Sequence, residues 1–225
     1  MEKPADMLDA AAFVHVGQDE RLPRAMVASV RRAMPNVRVL QLTDEQSPEV
    51  AGVHDVIRLA YDGTHLMTFR LMHFAQLDPC NVLFLDTDLI VQKDLSPLFA
   101  MPFDIALTRR DDEIPDPNGL DVSAIMPYNT GVMMSKSSGW DFWRNVLRQC
   151  EAFPEKYRKW WGDQLAVRTI AEVCPLSLQQ LPCSVYNYTP SFEAEDVSRR
   201  FVVHYKGNRK SWMISRARAE YGLSL

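Results

Sequence analysis

The stretch 81–92, NVLFLDTDLIVQ, constrains the fold more than any other part of the chain. Four apolar residues, Val82–Leu85, run without alternation into Asp86-Thr87-Asp88, and Leu89-Ile90-Val91 follow at once. A short continuous apolar run reads as a strand buried on both faces, the pattern of a parallel sheet covered by helices. Two carboxylates at the end of such a strand need a partner that justifies their charge. Open α/β sheets bind ligands beyond the carboxyl ends of their strands. A D-x-D pair on one side of a bend suits a divalent cation shared with phosphate oxygens. The bland alternative is a set of loop carboxylates capping a helix that starts near Asp94.

The rest of the chain supports the sheet. Residues 11–16, 37–42, 53–57, 105–108, 128–135 and 201–204 read as further strands. A helix begins near Pro23, with Met26, Val27, Val30 and Met34 at helical spacing. A second is capped by Thr64 and runs to Leu77 with Met67, Leu71 and Phe74 on one face; Ser138 caps a third carrying Phe142, Trp143, Val146 and Leu147. A fourth opens at Gly162-Asp163 and turns Leu165, Ala166, Ile170 and Val173 inward. Strands alternating with helices predict an α/β fold: a mixed, mostly parallel sheet with helices on both faces. Without a Pro/Gly-rich linker, residues 1–225 read as a single Rossmann-like domain.

Composition removes several functions. A formal charge of −4 gives no reason to expect nucleic acid, and disfavours a polycationic membrane-binding surface while leaving room for peripheral contact through a local patch. Cys80, Cys150, Cys174 and Cys183 form no CxxC pair and no zinc-type cluster, so they read as reduced thiols of a cytoplasmic protein. The first residues carry acids and a proline where a signal peptide needs an apolar core, and no window is long and apolar enough to span a membrane.

Two enzyme classes place D-x-D after an apolar strand. Phosphatases of the haloacid-dehalogenase type use DxDx[TV], but here Ile90 stands at the Thr/Val position, Gly162-Asp163 lacks the second acid of GDxxxD, and some 80 residues precede Asp86. The other class fits several segments at once. Arg70 on a helix, Leu85-Asp86-Thr87-Asp88, then Asp94-Leu95-Ser96-Pro97-Leu98 resemble the core of glycosyltransferase family 8, nucleotide-sugar transferases of the GT-A fold. Tyr128-Asn129-Thr130-Gly131-Val132 resembles the family's F-N-[AST]-G-V strand, and Gly162-Asp163-Gln164 its D-Q helix start. His204 to Trp212 (HYKGNRKSW) is similar to H-x-x-G-x-x-K-P-W, with Ser211 in place of the proline. The resemblance runs over roughly residues 11–213.

That resemblance implies a hexosyltransferase acting with retention on a nucleoside diphosphate sugar, UDP-linked by preference, and on a hydroxyl acceptor such as a saccharide. It makes Asp86, Asp88 and His204 the metal ligands, a set that suits Mn²⁺ better than Mg²⁺. Arg70, Thr87, Asn129, Gly207 and Lys210 become donor-binding, and Asp163 and Gln164 face the transferred sugar as catalytic residues. Val16 and Gln18 occupy the nucleoside position, although Glu20-Arg21-Leu22 departs from the family pattern there. Trp212 is a packing anchor, and His15, His54, His65 and His73 have no metal-like spacing. Loops 111–119 and 153–161 are acceptor candidates. The short tail after Lys210, without a basic aromatic extension, favours a soluble acceptor. The rival to the transferase within this resemblance is a non-catalytic nucleotide-sugar-binding module.

Overall fold

The computed structural model describes residues 7–114, 121–158 and 161–225. The middle of the 111–119 loop and residues 159–160 of the 153–161 segment lie outside them. The strands are β1 (Ala10–His15), β2 (Arg38–Thr43), β3 (Asp55–Arg58), β4 (Val82–Leu85), β5 (Leu89–Val91), β6 (Ile105–Arg109), β7 (Tyr128–Ser135), β8 (Leu178–Pro182) and β9 (Val202–His204). The helices are α1 (Arg21–Ala33), α2 (Leu66–Gln76), α3 (Val122–Ile125), α4 (Trp140–Ala152), α5 (Glu155–Arg158), α6 (Gly162–Ala171), α7 (Cys183–Tyr186) and α8 (Lys210–Tyr221).

Seven strands form one sheet in the order β3-β2-β1-β4-β7-β6-β8, while β5 and β9 make a separate two-stranded ribbon. The β3-β2-β1-β4 half and the β6–β8 pair are parallel. β7 runs antiparallel to both β4 and β6. The expected mixed, mostly parallel sheet is therefore present.

Alternation along the central strands divides the core. Leu83 and Leu85 of β4 face the layer of α1 and the β5–β9 ribbon, together with Met26, Val30, Ile90, Val203 and Met213. Val82 and Phe84 face the opposite layer, with Leu71, Phe74, Trp143, Ala166 and Val167 from α2, α4 and α6. Helices thus cover both faces, which explains why β4 is apolar throughout. Phe84 stacks on Phe74 at 3.9 Å between centroids, and Trp143 meets both rings edge-on at 5.2 and 5.6 Å.

Three local expectations fail, two of them because a turn or tertiary partner wins. Thr64 does not cap α2: its amide and hydroxyl both bond Asp62 Oδ1 in the preceding turn, and the helix starts after His65. Ser138 lies in a 3₁₀ turn and gives its hydroxyl to Asp104, so α4 follows Gly139 instead. A β-carbon on Gly139 would come within 2.7 Å of the Asp104 carbonyl, so that close approach demands glycine. Val173 lies past the end of α6 and is exposed. Asp94 does bond Ser96 N at 2.8 Å, as a turn carboxylate would.

Trp140 and Trp143 provide a stability test. Trp140 Nε1 donates to Leu77 O at 2.6 Å, whereas the buried Trp143 Nε1 has no hydrogen-bond partner among the described residues. Trp140→Phe orphans a buried carbonyl, and Trp143→Phe removes an orphaned N–H. Urea denaturation should show Trp140→Phe more destabilising than Trp143→Phe by about 1–2 kcal/mol. Equal losses would mean that packing volume alone sets stability here.

Candidate active site

The site is assembled by strand register. β4 ends at Leu85, and Asp86 N bonds Gly131 O at 2.9 Å, continuing the pairing with β7 by one residue. The chain then turns through Thr87 and Asp88 and enters β5, whose Leu89 lies opposite His204 of β9. Tyr205 N bonds Asp88 O at 2.8 Å, locking the ribbon to the turn. Residues 116 positions apart in sequence are thereby set side by side. His204 Nε2 is 2.9 Å from Asp88 Oδ1 and 3.6 Å from Asp86 Oδ2. Asp86, Asp88 and His204 each offer a ligand atom, and these atoms lie within 4.8 Å of one another.

The imidazole is oriented by a chain of amides. Gly131 N–H, a fixed donor, bonds Asn129 Oδ1 at 3.0 Å. Asn187 must therefore present its amide nitrogen to that oxygen, at 2.9 Å, and the same nitrogen reaches Thr108 Oγ1 at 2.8 Å. Its own oxygen is left to accept from His204 Nδ1–H at 2.8 Å. Nε2 is thereby the ring nitrogen turned toward the two carboxylates, and its lone pair is the one a cation placed between them would take. Gly131 leaves room for the ring: a β-carbon there would lie 2.5 Å from His204 Cε1. Asn187 had no signal in the sequence, because its role exists only through contacts far along the chain.

Arg70 is the buried counterpart of this cluster. Its side chain is 7% exposed, so the solvated surface position that a helical arginine usually takes is excluded. Nη1 lies 2.9 Å from Asp86 Oδ1 and 3.4 Å from Asp163 Oδ2, and Nη2 donates to Thr130 O at 2.5 Å. Asp163, at the first turn of α6, is 1% exposed. Its Oδ2 accepts from Thr130 Oγ1 at 2.8 Å, and among the described residues its Oδ1 has no hydrogen-bond partner. Burial pushes this carboxyl up, against the pull of Arg70 and Thr130. For Asp88 burial also opposes ionisation, but the charge and hydrogen bond of His204 and the charge of Lys210 outweigh it and hold the group at about 2. Two acids of one site are thus driven apart.

The remaining expected residues fall into two groups. Lys210, the first residue of α8, reaches within 3.5 Å of Asp88 Oδ2 and stays 47% exposed. Gly207 turns the chain just before it, at φ +60°, with open space where a side chain would project. Thr87 sits in the Asp86–Asp88 turn. Asn129 has its oxygen committed to Gly131 and Asn187. Gln164 Oε1 accepts from Arg110 Nη2 at 2.7 Å, a contact that no motif signalled. Val16 and Gln18 leave the sheet beyond β1, next to β4, and Gln18 Nε2 donates to Gln46 O at 3.3 Å. Trp212 packs against the core as expected. His73 is buried against Thr43 O, and burial lowers it to about 4, which makes it a neutral packing residue. His54 accepts from Val39 N, and His15 is buried at the end of β1. No disulfide joins the four cysteines.

A mixed sheet carrying a D-x-D turn, with a histidine brought beside it by a separate ribbon, defines a glycosyltransferase of the GT-A fold. The chain belongs to glycosyl transferase family 8, whose sequence model matches residues 59–215, well over half of its length. The phosphatase reading is thereby set aside. Among solved structures, the galactosyltransferase LgtC, in complex with donor and acceptor sugar analogues, superposes with a TM-score of 0.66 at 16% identity, covering 96% of each chain. The glycosyltransferase GlyE of Streptococcus pneumoniae TIGR4 gives 0.63 at 17% identity over 96% of this chain, which spans 63% of GlyE. A glycosyltransferase involved in glycosylation of the major capsid of PBCV-1 gives 0.63 at 14% identity, covering 94% of this chain and 99% of that one. No curated protein sequence matches the chain. Among the described residues no helix is long and apolar enough to cross a membrane.

The buried Asp163 has a measurable consequence. A carboxyl whose folded-state pKa exceeds its unfolded value weakens the fold as pH rises between the two, and above both the penalty is complete. Asp163→Asn keeps an acceptor for Thr130 and removes the charge. Without ligand, this variant should melt at or above the wild-type temperature at neutral pH. The wild type should gain on it as pH falls toward about 4. A variant markedly less stable at neutral pH would show that the ion pair with Arg70 outweighs desolvation.

Proposed function

We propose that residues 1–225 act as one catalytic unit that transfers a hexose, with retention, from a nucleoside diphosphate sugar to a hydroxyl of an acceptor such as a saccharide. The donor is UDP-linked. Asp86, Asp88 and His204 hold a divalent cation, Mn²⁺ in preference to Mg²⁺, since imidazole beside two carboxylates suits the softer ion. The observation that carries this reading is the oriented His204: its Nε2 faces both carboxylates while Asn187 holds Nδ1, as in a metal-binding imidazole whose other nitrogen is fixed by a hydrogen bond. A cation bound there stabilises charge on the departing diphosphate.

The chain's own groups divide the remaining work. Lys210 adds a positive charge on the solvent side, and Gly207 lets the backbone approach the phosphates. Thr87 offers a hydroxyl between the two acids. Arg70 bridges Asp86 and Asp163, and Asp163 Oδ1, deeply buried and unpartnered among the described residues, accepts a hydroxyl of the donor sugar. Asn129 keeps its amide N–H groups for the donor, and Gln164, held through its oxygen by Arg110, turns its amide nitrogen toward the reacting sugar. Val16 and Gln18 border the nucleoside.

The test separates metal from phosphate contacts. UDP should bind in the micromolar to millimolar range with Mn²⁺ and far more weakly in EDTA. Asp88→Asn should lose Mn²⁺ affinity and turnover together. Lys210→Met should keep the metal, since its exposed pair with Asp88 contributes only about 0–1 kcal/mol to stability. It should weaken UDP binding by roughly 1–3 kcal/mol, the range for a charge-assisted hydrogen bond. Calorimetry showing equal UDP affinity in Mn²⁺ and EDTA would remove the cation from the donor site.

A further inference from the structure

Helix α6 carries a recess that the donor reading does not use. A cleft of about 470 Å³ lies between this helix and the chain that follows α4. Phe153, Pro154, Tyr157 and Leu165 form its apolar walls, and Arg168, Thr169 and Glu172 complete it along α6. That volume falls in the range of small-molecule pockets. The polar lining groups are already engaged. Arg168 Nε donates to Glu172 Oε1 at 2.8 Å and its Nη1 to Ile125 O at 3.0 Å, while Thr169 Oγ1 donates to Leu165 O at 3.0 Å. A sugar ring seated here would strip water from several hydroxyls and meet few partners for them. An apolar group has no such cost.

Apolar surface continues around the cleft. Tyr157 is 48% exposed, Trp161, directly before α6, 56%, and Ile125, whose carbonyl Arg168 holds, 40%. Single exposed apolar side chains need no explanation, but these three gather about one helix. That helix also fixes the recess relative to the site. Asp163 and Gln164 stand in its first turn, and Leu165, Arg168 and Thr169 follow, up to the C-cap Glu172. The facing wall is seated on the helix start: a β-carbon on Gly162 would come within 2.8 Å of Tyr157 O. One helical turn, about 5.4 Å, separates Gln164 from Arg168, a span comparable with one pyranose ring.

We propose that the cleft holds an apolar aglycone of the acceptor. The accepting hydroxyl then belongs to an amphiphilic molecule, a saccharide head joined to an alkyl or aryl group. This rests on the reading of the chain as a nucleotide-sugar transferase and names the acceptor class for it.

The test uses the full chain with Mn²⁺ and UDP, and compares octyl glucoside, below its micellar concentration, with methyl glucoside. Calorimetry should show octyl glucoside binding at least tenfold tighter, because its methylenes leave water. Tyr157→Ser and Thr169→Glu, both at exposed positions, should each weaken octyl glucoside tenfold or more and leave UDP affinity unchanged. Proton relaxation of the bound probe adds direction: Mn²⁺ held with UDP should broaden the glucose protons more than the terminal methyl of the octyl chain. Equal binding of the two glucosides overturns the proposal, as does octyl binding that survives either variant. So does a flat or reversed relaxation gradient, which would make the cleft a detergent site unrelated to the acceptor. Sedimentation showing a dimer that Tyr157→Ser dissociates also overturns it, by making this face a contact between copies. In all these cases normal UDP binding leaves the donor reading standing. Failure of the wild type to bind UDP with Mn²⁺ overturns the transferase reading and the acceptor site with it.

Discussion

The antiparallel register of β5 against β9 is the constraint on which the site depends. Leu89 opposite His204 places the imidazole beside Asp88, and a slip of one residue would send it to the other face of the ribbon. The register is set by burial. Ile90, Val91, Val202 and Val203 are all inaccessible and pack in the layer that also holds Met26 and Val30 of α1. Hydrophobic packing several residues from the acids therefore decides where the acids' partner stands. Gly131, at the end of the neighbouring β7 pairing, supplies the missing β-carbon volume that the ring occupies.

Charge is handled in layers around that ribbon. Arg70, buried on α2, ties Asp86 to Asp163 and so links the end of β4 to the start of α6. Such buried pairs contribute little net stability, because desolvation offsets attraction. On the proposed function their value is positional: they fix carboxylates at the donor site. Asp163, left with an unpartnered oxygen and a raised pKa, shows the same trade of stability for readiness.

Much of this was legible in the sequence, and the reasons for the rest are physical. VLFL is an unbroken apolar run and forms the buried strand β4, and Val202–His204 of FVVH forms the buried strand β9. Asp86, Asp88 and His204 were named by motif, and the fold brought them together. The burial of Arg70 could not be read from its helix, because its partners lie on β4, β7 and α6. Asn187 and Arg110 act through contacts between distant segments and leave no periodic trace. Thr64 and Ser138 have cap-forming side chains, but Asp62 and Asp104 claimed their hydroxyls.

The account turns on whether His204 binds a cation through Nε2 together with the two aspartates. Pulsed electron paramagnetic resonance of Mn²⁺ with UDP on the full chain addresses this directly. The spectrum should show coupling to a directly coordinated imidazole nitrogen, and His204→Gln should abolish it. Bound Mn²⁺ without nitrogen coupling in the wild type would contradict the proposed metal centre.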